Sequence, residues 1–357
     1  MTGIVSYGVF VPDCRITVEE IWSMWSHPTR PATLKALTGL AKTAVNRWDE
    51  DTVVMAVEAA KAALEMAAID ASKIQAIYLG TATNPYASKA SGTIVAEALG
   101  AGPEIMCADV QFAGKSGTSA MEICTGLVKS GLVQHALSIG SDSLGRHVSP
   151  NDVPLEYSAS AGAAAFILGK TDVIATLDHM YSYATETPEY FRLDGDRYIK
   201  KGHGEGIDRV GYLDHVVTAV RNMMKKSGCQ SSDFDYAIFS QPNGRLPLAA
   251  GEELGFSKNQ TQPGLLATEI GDCGSASSLI GLAAVLDKAK ENQKILVASY
   301  GFGAGCDVLS FTTTEALPQA RERRKQYDSV HDQIRNGLEV DYKTYASMER
   351  KLIQEYV

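Results

Sequence analysis

The chain runs through one pattern twice. In the first half, AIYLG (76–80) leads to AEALG, then ADVQFAGKSGTSAMEICTGLVKS (108–130), then HALSIGSD (135–142). In the second half, YAIFSQPNG (236–244) leads to GEELGF, then ATEIGDCGSASSLIGLAAVLDKA (267–289), then KILVASYGFG (294–303). Each half reads as strand, loop, helix, glycine-rich turn, buried helix, strand. Gly117 and Gly274 fall at matching places. Short apolar runs that alternate with helical patterns point to an α/β layered fold. The internal repeat makes it two similar halves packed together. Ordinary recurrence of α/β units is the plainer alternative.

Composition supports a large core and narrows the partners. Of 357 residues, 45% are hydrophobic, enough for one big domain or two similar ones. A net charge of -9 excludes a global basic field for nucleic acid or an anionic membrane. It leaves room for a local basic pocket. The six cysteines include no CxxC pair, so they read as reduced thiols and not as a disulfide frame or a zinc site. MTGIVSYGVFVP at the start reads as a strand running into a turn and lacks the pattern of a signal peptide. No apolar run approaches about 18 residues, so no membrane span and a cytoplasmic location are expected.

The turn in ADVQFAGKSG raises the functional question. A strand that turns sharply into a helix through small residues usually presents a reactive side chain at the helix N-terminus. Here the tip is Gly114, which has none. Ser116 and Ser119 lie on the same turn and read as helix caps, since a serine nucleophile needs an adjacent base. Cys273 follows Asp272 in the matching second turn. A thiol beside a carboxylate resists ionisation, so Cys273 reads as a packed residue. Cys107, Cys124 and Cys306 lie on apolar elements and read as buried and inert. Residues 1–170 are expected to form the first half and 208–316 the second. Residues 171–207 read as an insertion over a cleft, with His203 in its glycine-rich end, and 317–357 as a charged tail.

Several strings resemble the thiolase superfamily, and within it the archaeal-type 3-hydroxy-3-methylglutaryl-CoA synthases. They include GIVSYGVFVPDCRITVEEI, DEDTVVMAVEAAKAAL, DFDYAIFSQPNGRLPL, PGLLATEIGD, SYGFGAGCD and, in the tail, VDYKTYASMERKL. The resemblance runs nearly end to end and implies a thiolase-like fold of two pseudo-duplicated halves in αβαβα layers. The family chemistry is acyl transfer followed by Claisen-type condensation, using a cysteine, a glutamate and a histidine. Those three family positions fall here on Gly114, Ala82 and Ser240. A family asparagine falls on Asp272. Removing a nucleophile from such a unit costs roughly 10⁶-fold in rate, so no catalytic residue is expected by this route. Asn243, Arg245 and Ser275 mark a relict CoA site, and Lys115 is a further candidate for CoA phosphates or a partner.

A finer resemblance, in ADVQFAGKSGTSA, GTATNPY and GDCGSAS, is to the synthase-like subunit of the bacterial 2,4-diacetylphloroglucinol acetyltransferase. It implies a pseudoenzyme of antibiotic biosynthesis. Such a chain would be a non-catalytic scaffold that requires no cofactor, in a complex that acylates a phloroglucinol-type aromatic. The implied partners are a second copy of the chain, a thiolase-like catalytic subunit and a small OB-fold zinc-containing protein. In the homodimer, Ala108 to Phe112 would pair across a two-fold axis. The alternatives are an active 3-hydroxy-3-methylglutaryl-CoA synthase or related CoA-dependent condensing enzyme, and a protein that only binds CoA thioesters.

Overall fold

A computed structural model describes residues 1–352 apart from 188, 203–208 and 325. Nine strands make the main sheet: β1 (Gly3–Phe10), β2 (Ala76–Gly80), β3 (Met106–Val110), β4 (Ala136–Ser143), β5 (Ala161–Gly169), β6 (Ala175–Ala184), β7 (Tyr236–Phe239), β8 (Lys294–Gly301) and β9 (Gly305–Thr313). They run in the order β7-β8-β9-β6-β1-β5-β4-β2-β3. β1, β5, β4, β2 and β3 belong to the first half. β6, β9, β8 and β7 belong to the second, in the mirrored sequence of pairings. Among the described residues the two sets pair where Gly3 and Ile4 of β1 meet Thr176 and Ala175 of β6.

Six helices matter for the site: α1 (Thr52–Ala67), α2 (Gly92–Leu99), α3 (Ser116–Ser130), α4 (Asp214–Ser227), α5 (Leu246–Glu253) and α6 (Ser277–Leu286). Helix α6 is buried at every position because SSLIGLAAVL has no polar face to offer water. With α3 it forms the layer between the two sets of strands. Helix α1 covers β1 and β5 from outside, and α4 covers β6 and β9. The result is the five-layer thiolase-like arrangement.

Local chemistry explains these positions. The acidic start before α1 is a cap: the Asp51 side chain accepts from the Val53 and Val54 amides. Alanines on α1 bring it so close to β1 that a Cβ at Gly8 would lie 2.1 Å from the Ala59 carbonyl oxygen. Residues 175–184, inside the stretch expected as an insertion, form core strand β6. Their alternating burial shows why: ATLDHMYSYA has a period of two, with one face against α4. Only the segment after Ala184 leaves the sheet. No helix among the described residues is long and apolar enough to cross a membrane.

Candidate functional site

The two glycine-rich turns come together at the head of α3 and α6. A Cβ at Gly117 would lie 2.5 Å from the Ser275 carbonyl oxygen, so only glycine lets the two turns approach this closely. Gly114 holds a φ of +88°, in the left-handed region. A Cβ there would meet the Tyr300 carbonyl oxygen at 2.8 Å and the Phe302 ring at 3.3 Å. The turn therefore fits glycine and crowds out any side chain.

A cavity of about 150 Å³ lies beside this turn. The first half supplies Ala82, Gln111, Gly114 and His147 to its walls. The segment after β6 supplies Tyr190, Phe191 and Arg192, and the second half supplies Pro242, Asp272 and Phe302. A wider cleft of about 1090 Å³ shares Ala82, Thr83, Gln111, His147 and Arg192 with it.

One buried carboxylate organises the floor. Asp142, at 0% exposure, accepts at Oδ1 from the Thr81 and Thr83 hydroxyls and from the Ala82 and Thr83 amides. Its Oδ2 accepts from the Ser275 amide at 2.7 Å. It ties the loop after β2 to the turn before α6, across the two halves. Asp272 lies against the cavity with 7% exposure, and its Oδ1 accepts from the Gly274 amide at 2.9 Å. Burial pushes its carboxyl up to about 7, helped by the nearby Asp142 and Glu189 charges. Burial pulls the His147 imidazole below its ordinary value, which favours the neutral ring; its Nδ1 lies 3.2 Å from the Arg197 carbonyl oxygen.

The residues expected from the sequence fall in several places. Gly114 and Ala82 face the cavity. Ser240 does not line it: its hydroxyl accepts from the Tyr300 amide at 2.7 Å, between β7 and β8. Asn243 Oδ1 accepts from the Arg245 and Leu246 amides in the turn that leads into α5. The Arg245 guanidinium donates to the Ala36 carbonyl. The Ser275 hydroxyl is buried with no hydrogen-bond partner among the described residues.

Lys115 turns away from the cavity into an internal ion pair with Asp307, at 2.8 Å. Ser119 also donates to Asp307, and Ser116 bonds back to Phe112. Cys273 is 1% exposed and its thiol is pushed up to about 12, chiefly by burial and then by Asp272. Cys107 is only partly buried, unlike the expectation, and burial with the Asp109 charge pushes its thiol up to about 11; Cys124 and Cys306 are buried and raised further. His203 lies outside the described residues.

Sequence reasoning missed Asp142, His147 and the aromatic wall of Tyr190, Phe191 and Phe302. The HALSIGSD string marks a strand end, but nothing local to it announces that Asp142 reaches a loop about 60 residues away.

Comparison with known proteins follows the same lines. The family described as 3-oxoacyl-[acyl-carrier-protein] synthase III matches residues 108–182, and its C-terminal counterpart matches 224–313. The hydroxymethylglutaryl-CoA synthase of Methanothermobacter thermautotrophicus is 42% identical over 352 residues, covering 99% of both chains. That of Methanopyrus kandleri is 40% identical, covering 98% of this chain and 97% of its own. Among solved structures, MvaS in complex with 3-hydroxy-3-methylglutaryl coenzyme A superposes with a TM-score of 0.86 at 20% identity, covering 100% and 94% of the chains. Synthase III of Aquifex aeolicus VF5 gives 0.80 at 22% identity, covering 87% and 100%.

These relatives overturn one expectation. The chain was expected to be a non-catalytic, pseudoenzyme scaffold for phloroglucinol acylation in antibiotic biosynthesis. Its full-length likeness is to chains named as synthases. The strings behind the finer resemblance describe the Gly114 turn, the loop held by Asp142 and the Gly274 turn. In this chain Gly114 and Gly117 are fixed by close backbone approach, and these strings carry no information about an aromatic substrate.

Proposed function

The chain belongs to the hydroxymethylglutaryl-CoA synthase family, within the thiolase superfamily, and on that premise we propose that it is a condensing enzyme acting on CoA thioesters. The observation that carries this reading is identity of about 40% to named synthases across nearly the whole chain. The cavity beside the Gly114 turn adds a place for the chemistry. At about 150 Å³ it has room for a short acyl group. Tyr190, Phe191 and Phe302 give one wall an apolar surface for an acyl chain.

The turn offers no thiol. In this reading the acyl group stays on the sulfur of CoA until the new carbon–carbon bond forms, and water then cleaves that thioester to a carboxylate and free CoA. The helix α3 N-terminus behind Gly114 favours negative charge developing on a thioester oxygen.

The test is direct. Purified protein is given acetyl-CoA with acetoacetyl-CoA, and free CoA is followed with a thiol reagent. CoA release that needs both substrates, with no acetyl adduct in the intact mass, is the expected result. A chain that neither binds acetyl-CoA nor releases CoA would refute the reading. Homodimerisation is part of the proposal, and so are the thiolase-like and OB-fold zinc-containing partners. Co-purification of tagged protein tests the latter two.

A further inference from the structure

We propose that Asp272 takes up and returns the proton at the α-carbon of the bound acyl thioester, in a cavity where Gly114 and Ala82 carry no side chain able to do so. The inference rests on the CoA-thioester reading above and adds the identity of the acid/base group.

Geometry carries it first. Asp272 and Gly114 line the same small cavity, from opposite halves of the molecule. The Gly274 amide engages Oδ1. Oδ2 accepts no hydrogen bond from the described residues and is not among the fully enclosed polar atoms, so it is the oxygen left for a substrate. The backbone on both sides is fixed. The Asp272 amide donates to the Ser158 carbonyl at 2.7 Å, and its own carbonyl accepts from the Ser160 amide at 3.0 Å. A carboxylate held this firmly keeps its direction during a proton transfer.

The surroundings suit the task. Asp142 at the end of β4 and Glu189 on the segment after β6 place negative charge near Asp272. His147 and Arg192 face the same cavity, Cys273 is its chain neighbour, and Tyr212 lies on the far side with its phenol held by the Ser240 carbonyl. Burial and the two acids bring the carboxyl to about 7. A base poised there is half ionised at neutral pH, where acid/base catalysis is most efficient.

The step balances within these groups. The Cα–H bond of the acyl group breaks and its proton forms an O–H bond on Oδ2. The electron pair moves into the thioester as an enolate. The enolate carbon then attacks the ketone carbon of the second substrate, the C=O π pair moves onto its oxygen, and that alkoxide takes the proton from the Asp272 carboxyl. In the absence of a second substrate, the proton returns to the same carbon.

That return is measurable. In D₂O with acetyl-CoA alone, the protein is expected to load deuterium into the acetyl methyl group, read by proton NMR. The rate should rise with pH and level above about 7. Asp272→Asn keeps shape and size, and is expected to slow exchange by about a hundredfold or more while acetyl-CoA affinity holds. Asp272→Ser is a second variant, and circular dichroism reports folding for both.

An Asp272→Asn protein with wild-type exchange overturns the inference. So does a wild type that binds acetyl-CoA without exchange, and so does a flat pH profile if neither variant folds. Failure of acetyl-CoA to bind is a different result: it refutes the CoA-thioester reading itself, and this inference with it.

Discussion

Gly114 holds a φ of +88°, and a cysteine placed there would meet both left-handed strain and the Tyr300 carbonyl oxygen at 2.8 Å. The strain alone costs about 1–2 kcal/mol. Gly114→Cys is therefore expected to lower the thermal midpoint and to form no acetyl adduct with acetyl-CoA. An intact mass showing stoichiometric acetylation would contradict it. Cys273 gives a companion prediction. Buried at 1% exposure, with its thiol pushed up to about 12, it should resist iodoacetamide at pH near 8 in the folded protein and react after denaturation. Peptide mapping of the alkylated cysteines checks this. The sequence reported both residues but not their constraints. Small residues around Gly114 signalled a tight turn, whereas the carbonyl that forbids a side chain comes from β8, far along the chain. GDCG likewise showed an acid next to a thiol. That the acid faces a cavity while the thiol packs against Ser160 and Ala161 depends on how the second turn meets β5.

Helix α3 is pinned to β9 by a charged contact that no local pattern announces. Lys115 donates to Asp307, which is 0% exposed and also accepts from Thr118 and Ser119. Removing one partner leaves the other charge buried alone, at a cost of about 3–5 kcal/mol. Lys115→Met should therefore destabilise strongly, and adding Asp307→Leu should recover much of the loss. Urea unfolding of both proteins gives the comparison; equal loss in the two would contradict it. Strand β3 makes the second prediction at this scale. It ends the sheet with one edge unpaired in the single chain, and Met106 on it is 43% exposed. A bare apolar edge favours pairing with another chain. A dimer at micromolar concentration is expected by sedimentation velocity, and Met106→Lys should shift it toward monomer. A wild-type monomer would refute the pairing. Elements of this kind were readable because period and turn chemistry are local. Their partners were not: the Ala108–Phe112 strand expected from the sequence begins earlier, at Met106, because β2 extends the register from Ala76.

At the scale of the molecule, the repeat predicted two similar halves and the family resemblance implied their layers, while the join between the halves had to come from the structure. Asp142 bridges them at the site, and the charged tail closes the outside. A charge run of this kind suggests a solvated face, yet Glu349 and Lys351 are 1% and 8% exposed. Lys351 donates to the Gly145 and Val148 carbonyls, and Glu349 accepts from the Asn46 amide at 3.3 Å. Alternating charges at a chain end look the same whether they face water or a polar seam. Burial pushes the Glu349 carboxyl from about 4.5 up to about 7 in the folded protein, against the pull of Lys351 and Arg146. Between those two values the folded state holds a proton that the unfolded state has released, so this group's stabilisation falls as pH rises through the window. It is fully present below about 4.5 and gone above about 7. The depressed imidazoles of His135, His147 and His331 oppose it, because the unfolded chain binds their protons first as pH falls through their unfolded value. The total curve mixes both signs, and a difference isolates the tail. Glu349→Gln mimics the protonated acid and cannot titrate. Wild type should thus lose stability relative to Glu349→Gln as pH rises from about 5 to about 8, measured as the gap between their urea midpoints. A gap that stays constant over that range would show that Glu349 ionises at the same pH folded and unfolded, and that the tail does not seal it from water.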